Sequence, residues 1–441
     1  MAVEWPGIRK ISVEGYKSIV KKGTIDIKPI TILSGANSSG KSSFMQPLLL
    51  LKQTLESTFD PGTLLIHGSH VKFTAAEQFF SNIGKGPRKK ANVLRIGFET
   101  SDGTLVEATY SRGVSKGIQI EEMEITRQKE KFIFKPGMKH EEIQKLLIKK
   151  PFGDFVFFDE KHELYEFELV RTRCFLDVVI RMKNQKQGLN FHIMNYPVAG
   201  SISNFILSCI HLPGLRGTPE RNYSVTAFQS PFTGTFEVYT ATVILKLQKE
   251  KDGRVIRGIV EDLEKLGLTW KVSAIEVDET RIELRVGRLP HPVQGGAQDL
   301  VNIADVGFGV SQTLPVIVAL NVATAGQIVY VEQPEIHLHP KAQSGFSEIV
   351  AAAARRGVRV ILETHSDLLI KGIQTKIALG QISPEDVGLN WFSRSELDGS
   401  TEISSAEIDR FGSFGDWPED FAEVKLKAEQ LFLDAVEKNI E

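Results

Sequence analysis

The amino-acid sequence predicts an α/β protein with a mixed sheet, an antiparallel subdomain and an α+β insertion. One observation is a short apolar strand, Ile30–Ser34, that leads into a glycine-rich loop and then into a helical pattern over Lys41–Glu56. Another is the alternation of apolar strands with helices after residue 310, which is typical of a parallel sheet covered on both faces. A third is the run of alternating strands between residues 93 and 126, where Asp102-Gly103 supplies a hairpin turn.

The apolar pattern divides the chain into four segments. We expect an N-terminal lobe over residues 1–126, an insertion over 127–239, a C-terminal lobe over 240–415, and a C-terminal helix over 416–441 that follows a short strand pair. The strands expected in the first lobe are Ile8–Val13, Gly23–Ile27, Ile30–Ser34, Val93–Phe98, Thr104–Tyr110 and Ile118–Thr126. The helices expected in the second lobe are Thr240–Lys249, Val255–Leu266, Val310–Thr324, Lys341–Arg355 and Asp367–Leu379, with strands at Trp270–Val277, Arg281–Val286, Ile328–Glu332 and Val358–Glu363. The insertion shows neither heptads nor a repeat of fixed period.

The composition is that of an ordinary soluble globular protein. With 441 residues and a net charge of −2, the chain has no charge balance that demands a nucleic-acid partner, and the basic clusters at 85–90 and 145–150 are expected to be solvated surface. Two cysteines, Cys174 and Cys209, fit a reducing compartment, and the N-terminus lacks the pattern of a secretory signal. The apolar stretch Leu314–Val331 is interrupted by a proline, an asparagine and a glycine, so we expect a helix, a turn and a buried strand there and no membrane partner. These features predict a cytoplasmic protein.

The clearest motif is Gly35–Ser42, which matches the pattern G-x-x-x-x-G-K-[ST] at every position. Its glycines let the backbone curl so that N–H groups converge on phosphate oxygens, and the following helix presents its positive end to the same anion. In this motif Lys41 reaches the β- and γ-phosphates, and the Ser42 hydroxyl ligates Mg²⁺. The sequence therefore predicts a site for ATP and Mg²⁺ whose nucleotide contacts include Asn37, Ser38, Ser39, Gly40, Lys41, Ser42 and Ser43.

A phosphate-binding loop of this kind (P-loop) needs, besides its own serine, a carboxylate on a neighbouring strand to hold the metal. The apolar strand Ile328–Glu332 ends in an acid, and a carboxylate at the end of a buried strand is costly without a partner. Mg²⁺ is the natural partner, so Glu332 and Ser42 are the predicted metal ligands. Gln333 and Glu335 follow directly along the chain.

Histidines follow both of the buried strands in this part of the chain. His337 and His339 are two residues apart, which leaves a zinc pair as a minor alternative. His365 comes just after the strand Val358–Glu363, at the edge of the sheet where ligands bind. We expect His365 to hydrogen-bond a γ-phosphate, with a helix-capping histidine as the alternative.

A second glycine-rich loop, Asp305–Gln312, precedes a helix and forms another potential anion site. A nucleotide bound to a single monomer does not need two such sites. In two monomers that face each other head to tail, the second site of one can contact the nucleotide bound to the other. We therefore predict a homodimer in which Gly309 and Ser311 of one subunit contact the ATP of the other.

Taken together, these motifs resemble those of ABC/SMC-type P-loop ATPases, and more closely those of the bacterial OLD-related (overcoming lysogenization defect) predicted ATPases. The resemblance rests on Gly35–Ser42 as Walker A, Gly307–Gln312 as a degenerate signature motif, Val331–Pro340 as Walker B, Glu363–Ser366 as the switch, His211–Arg221 as the segment before the second ATPase half, and Asp416–Phe421 as the ending of one uncharacterised branch. It implies a P-loop NTPase fold with an ABC-type ATPase head.

The chain departs from this pattern at the end of Walker B. ABC proteins usually carry Asp-Glu there, and this chain carries Glu332-Gln333. An amide does not accept a proton at neutral pH, so Gln333 could only orient water, and Glu335 is the nearest spare carboxylate. We predict catalytic roles for Glu335, Gln333 and His365, with slow or partner-dependent hydrolysis. The sequence leaves open whether Gln333 is the natural residue or an engineered replacement of glutamate. After the switch roughly 75 residues remain, too few to complete the ATPase and add a Toprim-like nuclease.

The expected function is an ATP-gated molecular switch. ATP would clamp two subunits together, and the insertion would relay that state to a protein effector, with a nuclease as one candidate, or to DNA. OLD-related ATPases often accompany effectors in antiphage defence, so the resemblance implies that role. Two alternatives stay open: a DNA-repair or chromosome-maintenance ATPase that binds DNA directly, and a non-hydrolysing ATP-dependent scaffold.

Overall fold

The computed structural model describes residues 5–81, 93–113, 117–147, 165–183, 190–226, 231–289, 291, 299–415 and 430–436. Its elements up to residue 208 are β1 (Ile8–Glu14), β2 (Gly23–Asp26), β3 (Ile30–Gly35), α1 (Lys41–Glu56), β4 (Val93–Thr100), β5 (Leu105–Arg112), β6 (Ile118–Arg127), β7 (Glu130–Phe134), α2 (His140–Leu147), β8 (Tyr165–Thr172), β9 (Phe175–Lys183), β10 (Asn190–Tyr196) and α3 (Gly200–Ser208). Those that follow are β11 (Ile210–Leu212), β12 (Tyr223–Ser224), α4 (Thr240–Lys249), α5 (Arg254–Lys265), β13 (Val272–Glu276), β14 (Arg281–Gly287), β15 (Leu300–Asn302), α6 (Phe308–Val322), β16 (Ile328–Glu332), α7 (Pro340–Arg355), β17 (Arg359–Glu363), α8 (Asp367–Ala378), β18 (Val387–Arg394) and β19 (Thr401–Ala406).

The central sheet has the strand order β11-β16-β17-β3-β18-β19. Neighbouring strands are parallel except β18 and β19, which are antiparallel. The strand β3 is buried along its whole length, as expected for a strand covered on both faces.

Alternate residues of the central strands point into two separate hydrophobic cores. Leu33 and Tyr330 pack with α1 and the antiparallel N-terminal sheet, whose order is β2-β1-β4-β5-β6-β7. Ile32 and Val331 pack on the other side, against the core that includes α4 to α8. This two-sided burial explains why these strands read as continuous apolar runs instead of alternating ones.

The parallel register brings three strand ends to one edge of the sheet. Glu332, the last residue of β16, pairs with Glu363, the last residue of β17. Glu363 in turn pairs with Leu33 of β3, two residues before the glycine-rich loop begins. The carboxyl ends of parallel strands are where ligands bind in open α/β sheets, so this edge carries the candidate site.

Most predicted elements lie within two residues of their observed bounds, and the Asp102-Gly103 turn is present, with Thr100 N–H donating to Thr104 O at 2.9 Å. Within the predicted insertion over residues 127–239, β7 lies in the N-terminal sheet and β11 in the central one. The division of the chain into four segments stays a prediction. Sequence reasoning did not place β18 beside β3.

The stretch Leu314–Val331 divides between α6 and β16, and no helix among the described residues has the length and apolarity to cross a bilayer. The basic cluster at 85–90, most of the one at 145–150 and most of the predicted C-terminal helix lie outside the described residues.

Candidate nucleotide-binding site

The glycine-rich loop connects β3 to α1 with a backbone that requires glycine at both of its ends. Gly35 has φ +138°, and a Cβ there would lie 2.1 Å from the carbonyl oxygen of Phe392. Gly40 has φ +113°, and a Cβ there would lie 2.3 Å from Oγ1 of Thr401. Both neighbours belong to the β18–β19 hairpin, so this hairpin is packed directly against the loop. The helix α1 begins at Lys41, which directs its N-terminal N–H groups toward the loop.

A cleft of about 340 Å³ opens at this loop. It is lined by Asn37, Ser38, Ser39, Gly40, Lys41, Ser42, Ser43, Gln333, Glu363, His365 and Arg394. The structure thus brings Gln333 and His365, which are far away in sequence, to the predicted phosphate loop. Sequence reasoning did not select Arg394, whose side chain holds the loop by donating from Nε to the carbonyl oxygen of Ser38 at 2.8 Å.

Lys41 is almost fully buried and folds back onto its own loop. Its Nζ donates to the carbonyl oxygens of Gly35 at 3.0 Å and Ala36 at 2.8 Å. Burial lowers the pKa of Lys41, and the nearby carboxylates of Glu363 and Glu335 partly oppose that change. Among the described residues, the acceptors of this desolvated ammonium group are two neutral carbonyls, which it can exchange for charged phosphate oxygens.

The hydroxyl of Ser42 contacts the carboxylate of Glu363 rather than that of Glu332. Ser42 Oγ donates to Glu363 Oε1 at 2.7 Å, and the Tyr330 hydroxyl donates to Glu363 Oε2 at 2.9 Å. Burial raises the pKa of Glu363, and the negative charge of Glu332 adds to that increase. Sequence reasoning named Glu363 only as the first residue of the switch segment Glu363–Ser366, although its position at the end of a buried strand was a usable signal for a metal ligand.

Glu332 has different partners from Glu363. Its Oε1 lies 3.1 Å from Nε2 of His211, and its Oε2 accepts from the N–H of Gly214 at 3.1 Å. Burial acts to raise the pKa of Glu332, but the contacts with His211 and the Gly214 N–H lower it overall. The predicted role of Glu332 as a metal ligand stays a prediction.

The oxygen atoms at this edge of the sheet suit Mg²⁺. Glu332 and Glu363 are register partners on adjacent strands, and the Ser42 hydroxyl touches the second of them. Hydroxyl and carboxylate oxygens are the ligands that Mg²⁺ prefers. Burial raises the pKa of Glu363 and the charge of Glu332 raises it further, and a divalent cation would offset both effects. Ser42 and Glu363 line the cleft and would hold the metal. Glu332 is not among the lining residues, and as the register partner of Glu363 it would be the further ligand.

The two candidates for activating water occupy different environments. Gln333 lines the cleft with a left-handed backbone, φ +45°, and its N–H donates to the carbonyl of Glu363 at 2.7 Å. A strained non-glycine residue at a cleft is a common mark of a functional position. Glu335 is not among the residues that line the cleft, and its Oε1 accepts from the N–H of His365 at 2.7 Å. Burial raises the pKa of Glu335, which suits a base, but the carboxylate would have to turn to reach the cleft.

The histidines after Walker B have local partners. The His337 ring packs on Phe308 with centroids 5.5 Å apart, and His339 caps α7 by accepting from the N–H of Lys341. Within the described ranges, no three His, Cys, Asp or Glu side chains converge as a metal-binding group. Burial, and secondarily the charge of Lys41, lower the pKa of His365, so this imidazole is neutral at pH 7 and can donate one hydrogen bond to a phosphate.

The second glycine-rich loop lies away from the cleft of its own subunit. None of residues 305–312 is among the described side chains that line the P-loop cleft. Ser311 is 8% exposed, donates to the carbonyl of Phe308 at 3.2 Å and faces a separate cavity of about 450 Å³. Gly309 lies near His337, since a Cβ there would be 3.1 Å from that carbonyl oxygen. Phe308, at the start of α6, is 48% exposed.

Two segments of the chain match known protein families. Residues 7–186, which contain the glycine-rich loop, match the family described as "AAA ATPase domain". Residues 276–371, which contain Glu332 and Glu363, match the family described as "AAA domain, putative AbiEii toxin, Type IV TA system". No curated protein matches the chain significantly.

Solved structures similar to the chain include three SMC head domains. A crystal structure of the SmcHead bound to the C-winged helix domain of ScpA is 12% identical with a TM-score of 0.45, and the match covers 92% of this chain and 98% of that one. The SMC head domain from Thermotoga maritima is 10% identical with a TM-score of 0.39, over 91% and 100% of the two chains. An Smc head domain with an extended coiled coil, bound to the C-terminal domain of ScpA derived from Pyrococcus furiosus, is 10% identical with a TM-score of 0.41, over 91% and 97%.

The predicted α/β class with mixed sheets is confirmed by the strand order. The closer relation to OLD-related ATPases stays a prediction. Both matched families are ATPase domains of the AAA type, and the first includes the complete phosphate-loop motif. Two segments of the chain, residues 7–186 and 276–371, are therefore similar to domains of the AAA type.

Proposed function

We propose that the protein is an ATP-binding and ATP-hydrolysing molecular switch that dimerises around MgATP and controls a partner effector. The observation that carries this proposal is the cleft itself. It combines the buried cation of Lys41, the Ser42–Glu363 pair, the neutral imidazole of His365 and the strained Gln333 around one phosphate loop. A cation, a metal-binding pair and a water-orienting amide are the parts that phosphoryl transfer requires.

Dimerisation is proposed from the start of α6. The Gly307 cap is exposed and Phe308 is half exposed, so the positive end of this helix is open to an incoming anion. In a two-fold dimer, the N–H groups near Gly309 of one subunit would meet the γ-phosphate on Lys41 of the other. Ser311 would support that contact through the helix, because its side chain faces the interior of its own subunit.

A second candidate function is a scaffold that binds ATP without hydrolysing it. It is favoured by the amide of Gln333 at the cleft, together with the carboxylate of Glu335 held beneath the His365 backbone. In such a protein ATP would stabilise the dimer by mass action, and nucleotide exchange would end the signal.

Light scattering and phosphate release together test the switch. Wild type should shift from monomer to dimer with ATP and Mg²⁺ and release phosphate slowly, and Phe308→Asp should abolish the shift while leaving nucleotide affinity intact, since Asp repels the incoming phosphate. The exposed Leu397→Asp, on the β18–β19 turn, is the matched control and should behave as wild type. Dimers that form without ATP and resist Phe308→Asp would refute the trans site, and ATP-dependent dimers without turnover would favour the scaffold.

The partner is tested by adding candidates to the same assay. Turnover stimulated by duplex DNA alone would favour the DNA-binding ATPase. Turnover stimulated only by a co-purifying protein would favour the effector-coupled switch, including the antiphage role that the resemblance to OLD-related ATPases implies.

A further inference from the structure

A network of buried polar side chains extends from Glu332 away from the cleft. His211 contacts Glu332 through Nε2, and its Nδ1 lies 3.0 Å from Nδ1 of His70. Nε2 of His70 lies 3.2 Å from Oε2 of Glu56. The side chains of His70 and His211 are 0% and 1% exposed, so both imidazoles are shielded from solvent. Most buried polar groups in proteins have a hydrogen-bond partner, and each histidine here uses both ring nitrogens.

The other end of this network lies on α1, the helix that begins with Lys41. Glu56 is the last residue of α1, and its Oε1 pairs with Nζ of Lys52 at 2.8 Å while its Oε2 accepts from the N–H of Gly234 at 3.1 Å. Lys52 is fully buried and also donates to the carbonyl of Leu207 at 2.8 Å. One helix therefore supplies the phosphate-binding lysine at its start and the support for Glu332 at its end.

The contacts of His70 define which of its ring nitrogens carries the proton. Burial lowers the pKa of His70 to about 4, so this ring is neutral at pH 7. Because the ionised Glu56 only accepts, the single proton of His70 sits on Nε2, and its Nδ1 is a bare acceptor. This acceptor faces Nδ1 of His211 at 3.0 Å. This fixes the orientation of the His211 ring, whose face also stacks on Tyr330 with centroids 5.3 Å apart and an interplanar angle of 10°.

Tyr330 links this arrangement to the second carboxylate of the site. Its ring covers His211, and its hydroxyl donates to Glu363. The supports of Glu332 and Glu363 thus meet at one aromatic side chain, on the strand that ends in Glu332. Residues of this kind, which hold a ligand without touching the metal, typically contribute 10- to 100-fold to metal affinity.

We propose that His211 is a positioning residue that sets the orientation of the Glu332 carboxylate for the metal, with His70 and Glu56 fixing the orientation of His211 in turn. This inference rests on the proposed function, because it takes Glu332 as a ligand of the nucleotide-bound Mg²⁺. A purely structural role for the histidine pair would lower the stability of the protein and leave metal affinity unchanged.

The test measures Mn²⁺, a spectroscopic substitute for Mg²⁺, by electron paramagnetic resonance on the full chain with a non-hydrolysable ATP analogue. His211→Leu should weaken Mn²⁺ binding about 10- to 100-fold while leaving metal-free nucleotide affinity unchanged. His211→Gln, whose amide N–H can replace Nε2 of the imidazole, should restore most of the affinity. His70→Gln leaves the His211–Glu332 contact in place and should lower Mn²⁺ affinity less than His211→Leu does. It replaces His211→Leu as the test if that variant does not fold.

The matched control is His140→Leu, which removes a histidine of the N-terminal part whose Nδ1 accepts from the N–H of Phe167 at 2.9 Å. It should lower the melting temperature and leave Mn²⁺ affinity as in wild type. Folded His211→Leu or His70→Gln proteins with wild-type Mn²⁺ affinity would overturn the proposal. If wild type itself shows no nucleotide-dependent Mn²⁺ binding, the proposed function falls first and this inference falls with it.

Discussion

Replacing Glu363 by glutamine separates the role of this carboxylate in function from its effect on stability. The carboxylate is buried beside Glu332, and it accepts from Ser42 at 2.7 Å and from Tyr330 at 2.9 Å. A charged group in this position costs folding free energy, yet it provides the oxygen ligand that a cation beside Ser42 requires. Glu363→Gln should therefore stabilise the nucleotide-free protein and weaken metal-dependent nucleotide binding.

The sign of the stability change follows from the raised pKa of Glu363. A group whose pKa is higher in the folded state contributes stability below the pKa of the unfolded chain and loses it as the pH rises through the folded pKa. The loss is about 1.4 kcal/mol for each unit by which the pKa is raised. Glutamine is neutral at every pH and still offers an acceptor to one hydroxyl. The variant should thus melt about 1–3 °C above wild type at pH 7.5, and the difference should shrink toward pH 4.

The assay combines thermal melts at the two pH values with calorimetric titration of ATP, with and without Mg²⁺. Glu363→Gln should lose about 10- to 100-fold of the Mg²⁺-dependent gain in affinity, the usual cost of weakening a metal site. Glu396→Gln, an exposed acid on the β18–β19 turn, is the matched control and should change neither quantity. A Glu363→Gln protein that is less stable than wild type at pH 7.5 and keeps its full Mg²⁺ response would refute the reasoning.

Three further changes probe the cleft and the dimer. Gln333→Glu places a carboxylate at the cleft, so phosphate release should rise about 10-fold or more with little change in ATP affinity; unchanged turnover would exclude this position as the site of the base. Arg394→Ala removes the hydrogen bond to the Ser38 carbonyl and should weaken ATP binding by about 1 kcal/mol in calorimetry, whereas Arg394→Lys should recover part of it. Phe308→Asp should eliminate ATP-dependent dimers in light scattering, and dimers that persist would move the interface to another surface.

Local patterns in the sequence were sufficient for the phosphate loop and its helix. The predicted helix Lys41–Glu56 coincides with α1, because the motif itself fixes where the helix begins. Continuous apolar runs likewise predicted β16 and β17, since strands buried on both faces carry no polar alternation.

Long-range pairing could not be predicted from the same patterns. The strand β18 lies beside β3 although more than 350 residues separate them, and its buried Asn390 donates to the Ile32 carbonyl, a contact that no local pattern reveals. For the same reason, the sequence predicted Glu332 as the acid that holds the metal with Ser42 and did not reveal that Glu363 contacts Ser42, because β17 lies between β16 and β3. The role of Glu332 stays a prediction. The contact of His211 with Glu332 spans 121 positions and is equally invisible to periodicity.

The central claim is that ATP binds at the cleft through Lys41, and calorimetric titration of MgATP into wild type and Lys41→Ala tests it most directly. Lys41 is expected to exchange two backbone carbonyls for two phosphate oxygens, and charge-assisted contacts of this kind are worth about 1.5–3 kcal/mol each. Lys41→Ala should therefore bind MgATP at least about 100-fold more weakly than wild type, while the exposed Lys251→Ala should bind as wild type does. Equal MgATP affinity in wild type and Lys41→Ala would contradict the assignment of the nucleotide site.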